Sequence, residues 1–273
     1  MTPTGTRTRL PLWLGIPAAV GAAFLVLPFA ALLTHLDWTA VPAAITSPAA
    51  LQALWLSLGT ATAATAVCLL LGVPLAMFIA RSSGWPATLM RTLTTLPLVL
   101  PPLVGGIALL SFLGREGILG GWLLQFGIRI PFTTVAVVIA QSFVAMPFLV
   151  IAIEGSLRTA GTAHELVAAS LGAHPFTVFR RVTLPLAGPG LLAGTVLCFA
   201  RALGEFGATA LFAGNAAGVT RTMPLAIYTA FNGAGVDENT AIALSLLLIL
   251  VAVAVLLVMR GWRADDAVAG TIR

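Results

Sequence analysis

Lysine is absent from this chain, and only 8% of its 273 residues are charged. A soluble domain needs about a quarter charged residues to cover its surface, so that class is excluded. With 59% hydrophobic residues and a mean hydropathy of +1.04, the chain reads as a polytopic helical membrane protein. The net charge of +5 rests on arginine alone. These arginines are scattered among loops and form no basic face, which excludes nucleic acid as a partner; in a membrane protein they set orientation. Cysteine is scarce too. Cys68 and Cys198 lie inside apolar runs and read as small buried hydrophobes. His35, His164 and His174 fall in loops with no shared spacing, so no metal site is indicated. There is no Walker A sequence, no Ser/His/Asp set and no plausible carboxylate pair. Catalytic residues are therefore expected to be none, bound cofactors none, and the chain is not expected to be an enzyme.

What is present is a series of apolar runs. Leu12 to Leu33 is longer than the roughly 7–15-residue core of a secretory signal and lacks a convincing cleavage site, so it reads as a retained first span. Leu51 to Ala80 is the second, followed by a short basic loop from Ser82 to Arg91. Leu93 to Phe112 is the third, interrupted by Pro97, Pro101 and Pro102. The loop after it carries an apolar GGWLLQFGI patch that could dip into the interface. Phe132 to Ile153 is the fourth span, Pro189 to Ala213 the fifth and Ala241 to Met259 the sixth, with a polar tail from Arg260. No internal repeat is visible, which argues against a carrier built from inverted repeats. No appended sensing domain is expected after the sixth span.

Arginine placement orients these six spans. Arg7, Arg9, Arg81, Arg91, Arg158, Arg180, Arg181, Arg260, Arg263 and Arg273 share one side; Arg115, Arg129 and Arg221 lie on the other. The rich side should be cytoplasmic, so both termini are expected inside.

The longest polar interval, Glu154 to Pro189, therefore faces the cytoplasm. It reads as two short helices broken at a glycine. The first covers Ala163 to Leu171, with Gly172 as a left-handed terminator. The second opens at Pro175 and runs through Phe176, Val178, Phe179 and Val182, until Pro185 and Pro189 stop it and restart the chain as the next span. Such an amphipathic loop must rest on something other than lipid, and a soluble protein is the expected partner.

The fifth span carries intramembrane charges. Arg201 and Glu205 stand four residues apart, on one helix face that Thr209 continues. A charge in hydrocarbon costs at least about 2.5–3.5 kcal/mol, so both should face protein or an aqueous path. Two roles stay open: a gate or cavity element, or a pair that holds helices together. Small residues at Gly190 and Gly194, and at Ala200, Gly204 and Ala208, suggest close helix approach. Pro101-Pro102, with Gly105-Gly106, could bend the third span at a path, or serve packing alone.

Several of these stretches resemble known proteins. Val167-Ala168-Ala169-Ser170-Leu171-Gly172, nine residues, then Val182-Thr183-Leu184-Pro185 resembles the EAA-type loop of bacterial ABC importer permeases. The glycine and the leucine-proline end match that spacing. The glutamate does not: Leu166 occupies its position, Glu165 is one earlier, and one residue turns a helix by about 100°. Phe199 to Asn215, Thr220 to Phe231 and Leu96 to Leu110 are similar to the permeases of molybdate ABC importers and, more loosely, to those of sulfate importers.

The resemblance implies an all-α, six-span type I ABC importer permease (MetI-like) fold in a bacterial cell membrane. One permease domain would cover residues 1–273, with a core of 50–260 and a coupling loop of 154–189. It implies transport of molybdate or tungstate, with sulfate or thiosulfate as the alternative. The implied partners are a second copy of the chain, two cytoplasmic ATPase subunits that bind the ATP, an extracytoplasmic molybdate-binding protein and membrane lipid. The coupling residues would be Glu165, Leu166, Val167, Ala168, Ala169, Leu171, Gly172, Ala173, Pro175 and Pro185. Pro101, Pro102, Arg201, Glu205 and Thr209 would line the path or gate.

Overall fold

The computed structural model describes residues 12–233 and 237–269; among them the chain forms thirteen α-helices and one π-helical turn, with no strand. The predicted Arg7, Arg9 and Arg273 lie outside the described residues. The first span is α1 (Leu12–Thr34), followed by the short α2 (Val41–Thr46) and by α3 (Pro48–Arg81). The Ser47 hydroxyl starts α3 by accepting the Ala50 N–H at 3.2 Å, with proline at the first helical position, where no N–H is needed. At 1.5 Å per residue, its 34 residues reach about 50 Å, beyond a hydrocarbon core of about 30 Å.

The third span is broken, not merely bent. Its halves are α4 (Trp85–Val99) and α5 (Pro102–Leu113), whose axes meet at 118°. A residue that precedes proline is pushed out of the helical region, and here two do so in succession. Leu100 and Pro101 have ψ of 138° and 134°. Because α4 begins at Trp85, most of the expected basic loop from Ser82 to Arg91 is helix, and Arg91 projects from it.

The apolar patch contains a short helix, α6 (Gly120–Gln125), and the fourth span is α7 (Thr134–Ala160). Thr133 caps α7, accepting the Ala136 N–H at 3.2 Å. This helix continues seven residues beyond the predicted end at Ile153, and Glu154 is buried within it. Next come α8 (Ala163–Ser170) and α9 (Pro175–Val178), a π turn (Phe179–Thr183) and α10 (Leu184–Leu203). The expectation that Pro185 and Pro189 restart the chain is corrected here: helix runs unbroken from Pro175 to Leu203. Pro185 has no N–H to give, and the wide turn before it absorbs the loss, with the Leu184 N–H reaching back to the Phe179 carbonyl.

The fifth span is shorter than expected. It stops at Leu203, and the chain re-enters helix as α11 (Gly207–Phe212) and α12 (Met223–Asn232). The sixth, α13 (Glu238–Ala269), extends well past Met259. Asp237 caps its first turn, accepting the Thr240 N–H at 3.0 Å and its hydroxyl; these bonds hold the carboxyl below its ordinary range.

The core sits where α7 packs between α3 and α10. Small residues permit this. A Cβ on Gly190 would lie 2.5 Å from the Ala152 carbonyl oxygen, and one on Gly194 3.1 Å from the Leu149 Cα. The second expected small-residue stripe does not form, because the helix ends at Gly204 and leaves Ala200 and Gly204 exposed. The described window of α1 buries none of its residues against the rest, as a span bathed in lipid would.

Candidate partner-docking hairpin and charged helix break

The polar hairpin proper is residues 161–174, since its expected flanks belong to α7 and to the helix leading into α10. Gly172 has φ +82° and closes α8 with a two-bond cap. Its N–H reaches the Ala169 carbonyl at 2.9 Å, and the Ala173 N–H reaches that of Ala168 at 3.1 Å. Pro175 then opens α9 in its first turn, where the His174 imidazole accepts the Phe176 N–H at 3.3 Å.

α8 buries no residue at all. Leu166 and Leu171 are 65% and 83% exposed, and Val167 and Phe176 are similarly bare. Ala169 and Pro175 lie on the exposed surface as well, as does Pro185 at the start of α10; Ala168 and Ala173 are half-buried. Three of these large apolar side chains thus stand on the hairpin itself, and Phe176 follows in α9. Glu165 points the other way. Its Oε1 accepts Arg81 Nη2 at 3.0 Å and the Thr183 hydroxyl at 2.7 Å. The one-residue offset predicted from sequence therefore has a structural outcome: Leu166 takes the outward position and the carboxylate turns inward. A cleft of about 570 Å³ opens between the hairpin and the body, lined by both Glu165 and Leu166 and by Met77, Thr162 and Phe179.

A second charged cluster braces the same end of the spans, and sequence reading missed it. Glu154 Oε1 accepts Arg91 Nε at 2.9 Å and Arg158 Nε at 2.7 Å. Arg158 also donates to the Ile79 carbonyl at 3.2 Å, and Arg81 to that of Leu157 at 3.1 Å. Glu154 and Arg158 at helical spacing were the one available signal.

The charged pair of the fifth span sits at a helix break. Gly204 ends α10, yet Arg201 Nη2 still meets Glu205 Oε2 at 2.6 Å. Glu205 is 1% exposed, and its other oxygen accepts the Ala208 N–H at 2.8 Å. Thr209 does not continue their face, as had been expected; it lies buried in α11. The structure also joins two of the expected site regions. A Cβ on Gly207 would come within 2.7 Å of Pro102 Cβ, so the break in the third span abuts the break in the fifth. Pro101 remains exposed beside it.

Long apolar helices, two interrupted spans that abut and a hairpin displaying bare apolar side chains mark a polytopic membrane protein. The family described as binding-protein-dependent transport system inner membrane component matches residues 72–263. The chain belongs to that family, whose members are transporter subunits and not enzymes. It is 53% identical over 238 residues to the molybdenum transport system permease protein ModB of Mycobacterium tuberculosis, covering 87% of this chain and 89% of that one. It is 32% identical over 249 residues to the sulfate transport system permease protein CysT of Escherichia coli, covering 89% and 90%. Among solved structures it resembles a bacterial ABC transporter involved in the import of the acidic polysaccharide alginate, with a TM-score of 0.70, 17% identity, and 93% and 95% of the two chains covered. That likeness fits the MetI-like importer permease fold expected from sequence.

Proposed function

We propose that this chain is the membrane-spanning permease of an ATP-driven molybdate importer, and that its hairpin is the seat of a separate cytoplasmic ATPase. The observation that carries the coupling role is the exposed apolar set of Leu166 and Val167 on α8, Leu171 just past its end and Phe176 on α9. An apolar helix face laid into a partner's groove is a recurrent recognition mode, and water is a poor partner for these side chains. The 53% identity to a molybdenum permease over most of both chains supports the substrate. On this reading two copies of the chain assemble with two ATPase subunits, which bind the ATP, and an external binding protein delivers the anion. The hairpin and both termini face the cytoplasm of a bacterial cell. The path runs past the meeting point of the two broken spans, at Pro101, Pro102, Arg201, Glu205 and Thr209; irregular backbone at that depth is stable where it faces protein or a cavity.

The test is reconstitution with a partner ATPase and a molybdate-binding protein, followed by labelled molybdate uptake. Uptake should depend on ATP, and a large excess of sulfate should leave it nearly unchanged. Strong inhibition by sulfate would move the assignment to a sulfate permease. Gly172→Val should abolish this uptake while membrane insertion stays normal. A Cβ at position 172 meets nothing within 4 Å, so the fault would lie in the φ of +82° alone, which a β-branched residue adopts only at a cost of about 1–3 kcal/mol. Wild-type uptake by that variant would remove the hairpin from the coupling route.

A further inference from the structure

We infer that Glu165 is a positioning residue that clasps the hairpin to its own permease, so that movement of the hairpin reaches three spans together. The inference rests on the coupling role proposed above and assigns a job to the glutamate that stands out of register. A carboxylate that reached a docked partner would have to face outward, as Leu166 and Leu171 do. Instead, one oxygen of Glu165 takes both the Arg81 guanidinium, at 3.0 Å, and the Thr183 hydroxyl, at 2.7 Å. Arg81 is the last residue of α3, and Thr183 is the buried last residue of the π turn that feeds α10. The other terminal nitrogen of Arg81 donates to the carbonyl of Leu157, a wholly buried residue near the end of α7. Glu165 therefore ties the hairpin directly to the end of α3 and the start of α10, and through Arg81 to the end of α7.

α8 buries no residue fully against the body, so apolar packing holds it there only weakly. An element attached only through its two backbone ends would swivel when pulled, and the pull would be lost in the loop. A charge-assisted, two-donor clasp is short and directional. With the Glu165 and Arg81 side chains 17% and 21% exposed, it is partly shielded from competing water.

The test uses the full complex of permease, ATPase and external binding protein in liposomes, with molybdate uptake and ATP hydrolysis measured together. Glu165→Ala should still retain the ATPase on purification and still hydrolyse ATP, while molybdate carried per ATP falls at least tenfold. Thr183→Val should lower that ratio in the same direction, and Glu165→Gln, which keeps an acceptor for Thr183, should fall between. Arg81→Gln combined with Glu165→Gln should be no worse than Arg81→Gln alone, because partners in one contact are not additive. An unchanged ratio in Glu165→Ala would overturn the clasp. So would loss of the ATPase from that variant, which would place Glu165 at the partner surface. Failure of the wild-type chain to retain the ATPase at all would instead remove the docking reading, and this inference with it.

Discussion

Gly190→Val is expected to yield little folded permease. The β-carbon would stand 2.5 Å from the Ala152 carbonyl oxygen and 2.5 Å from Ser156 Cβ, so backbone and not a movable side-chain tip must yield. The space can be made only by separating α10 from α7, the pair that forms the centre of the core. Separation also lengthens the Ser156 hydroxyl bond to the Leu186 carbonyl, now 3.2 Å. Overpacking alone costs about 1–3 kcal/mol, and two added methyl groups beyond the β-carbon bring it to the upper end or past it. Thermal unfolding in detergent measures this, read against two neighbours. Gly194→Ala should be milder, since its closest contacts are 3.0 and 3.1 Å. Gly188→Ala meets nothing within 4 Å and should match the wild type or exceed it slightly. Equal stability of all three variants would show that α7 and α10 do not approach this closely.

Glu205→Ala is the second substitution expected to be severe. It removes the carboxylate opposite Arg201 and the acceptor of the Ala208 N–H in one step. Removing one partner of a buried ion pair costs about 3–5 kcal/mol, because the charge left behind remains desolvated. Arg201 is partly exposed and recovers some of that in water. Glu205→Gln should lose less, since an amide oxygen can still receive the Ala208 N–H. The two-way structure of this contact also changes how the pair must be tested. An Arg201→Glu, Glu205→Arg exchange preserves the charges, but an arginine at position 205 cannot accept an N–H, so the exchange is expected to lower the melting temperature for that reason alone. Path and structural roles are better separated by Glu205→Gln, with transport compared at equal amounts of folded protein.

Much of the architecture was written in hydrophobicity. The apolar runs located the five helices long enough to span and the broken pair α4–α5, because a bilayer demands about 20 apolar residues in succession. Gly172 was legible for a similar reason: helix termination by a left-handed glycine is a local event. Two misreadings occurred where proline had two outcomes. Pro101-Pro102 broke a helix completely, since Leu100 and Pro101 are each extended by the residue that follows. Pro185 broke nothing, since a wide turn preceded it. A lone proline does not announce which of these its neighbours permit. The contacts that organise the hairpin had almost no local trace. Arg81 and Glu165 are 84 positions apart, and Arg91 and Glu154 are 63 apart. Only the packing of α3, α4 and α7 brings such residues together.

The π turn at Phe179–Thr183 accommodates one residue more than an ordinary helical turn would, and a single residue corresponds to about 100° of azimuth. It therefore acts as a phase shifter between the hairpin and everything downstream. With it, Gly190 and Gly194 meet α7; without it, the same sequence would offer α7 a different meridian, with bulkier side chains. Natural insertions and deletions should consequently be scarce between Pro175 and Gly190, even though much of that stretch faces outward.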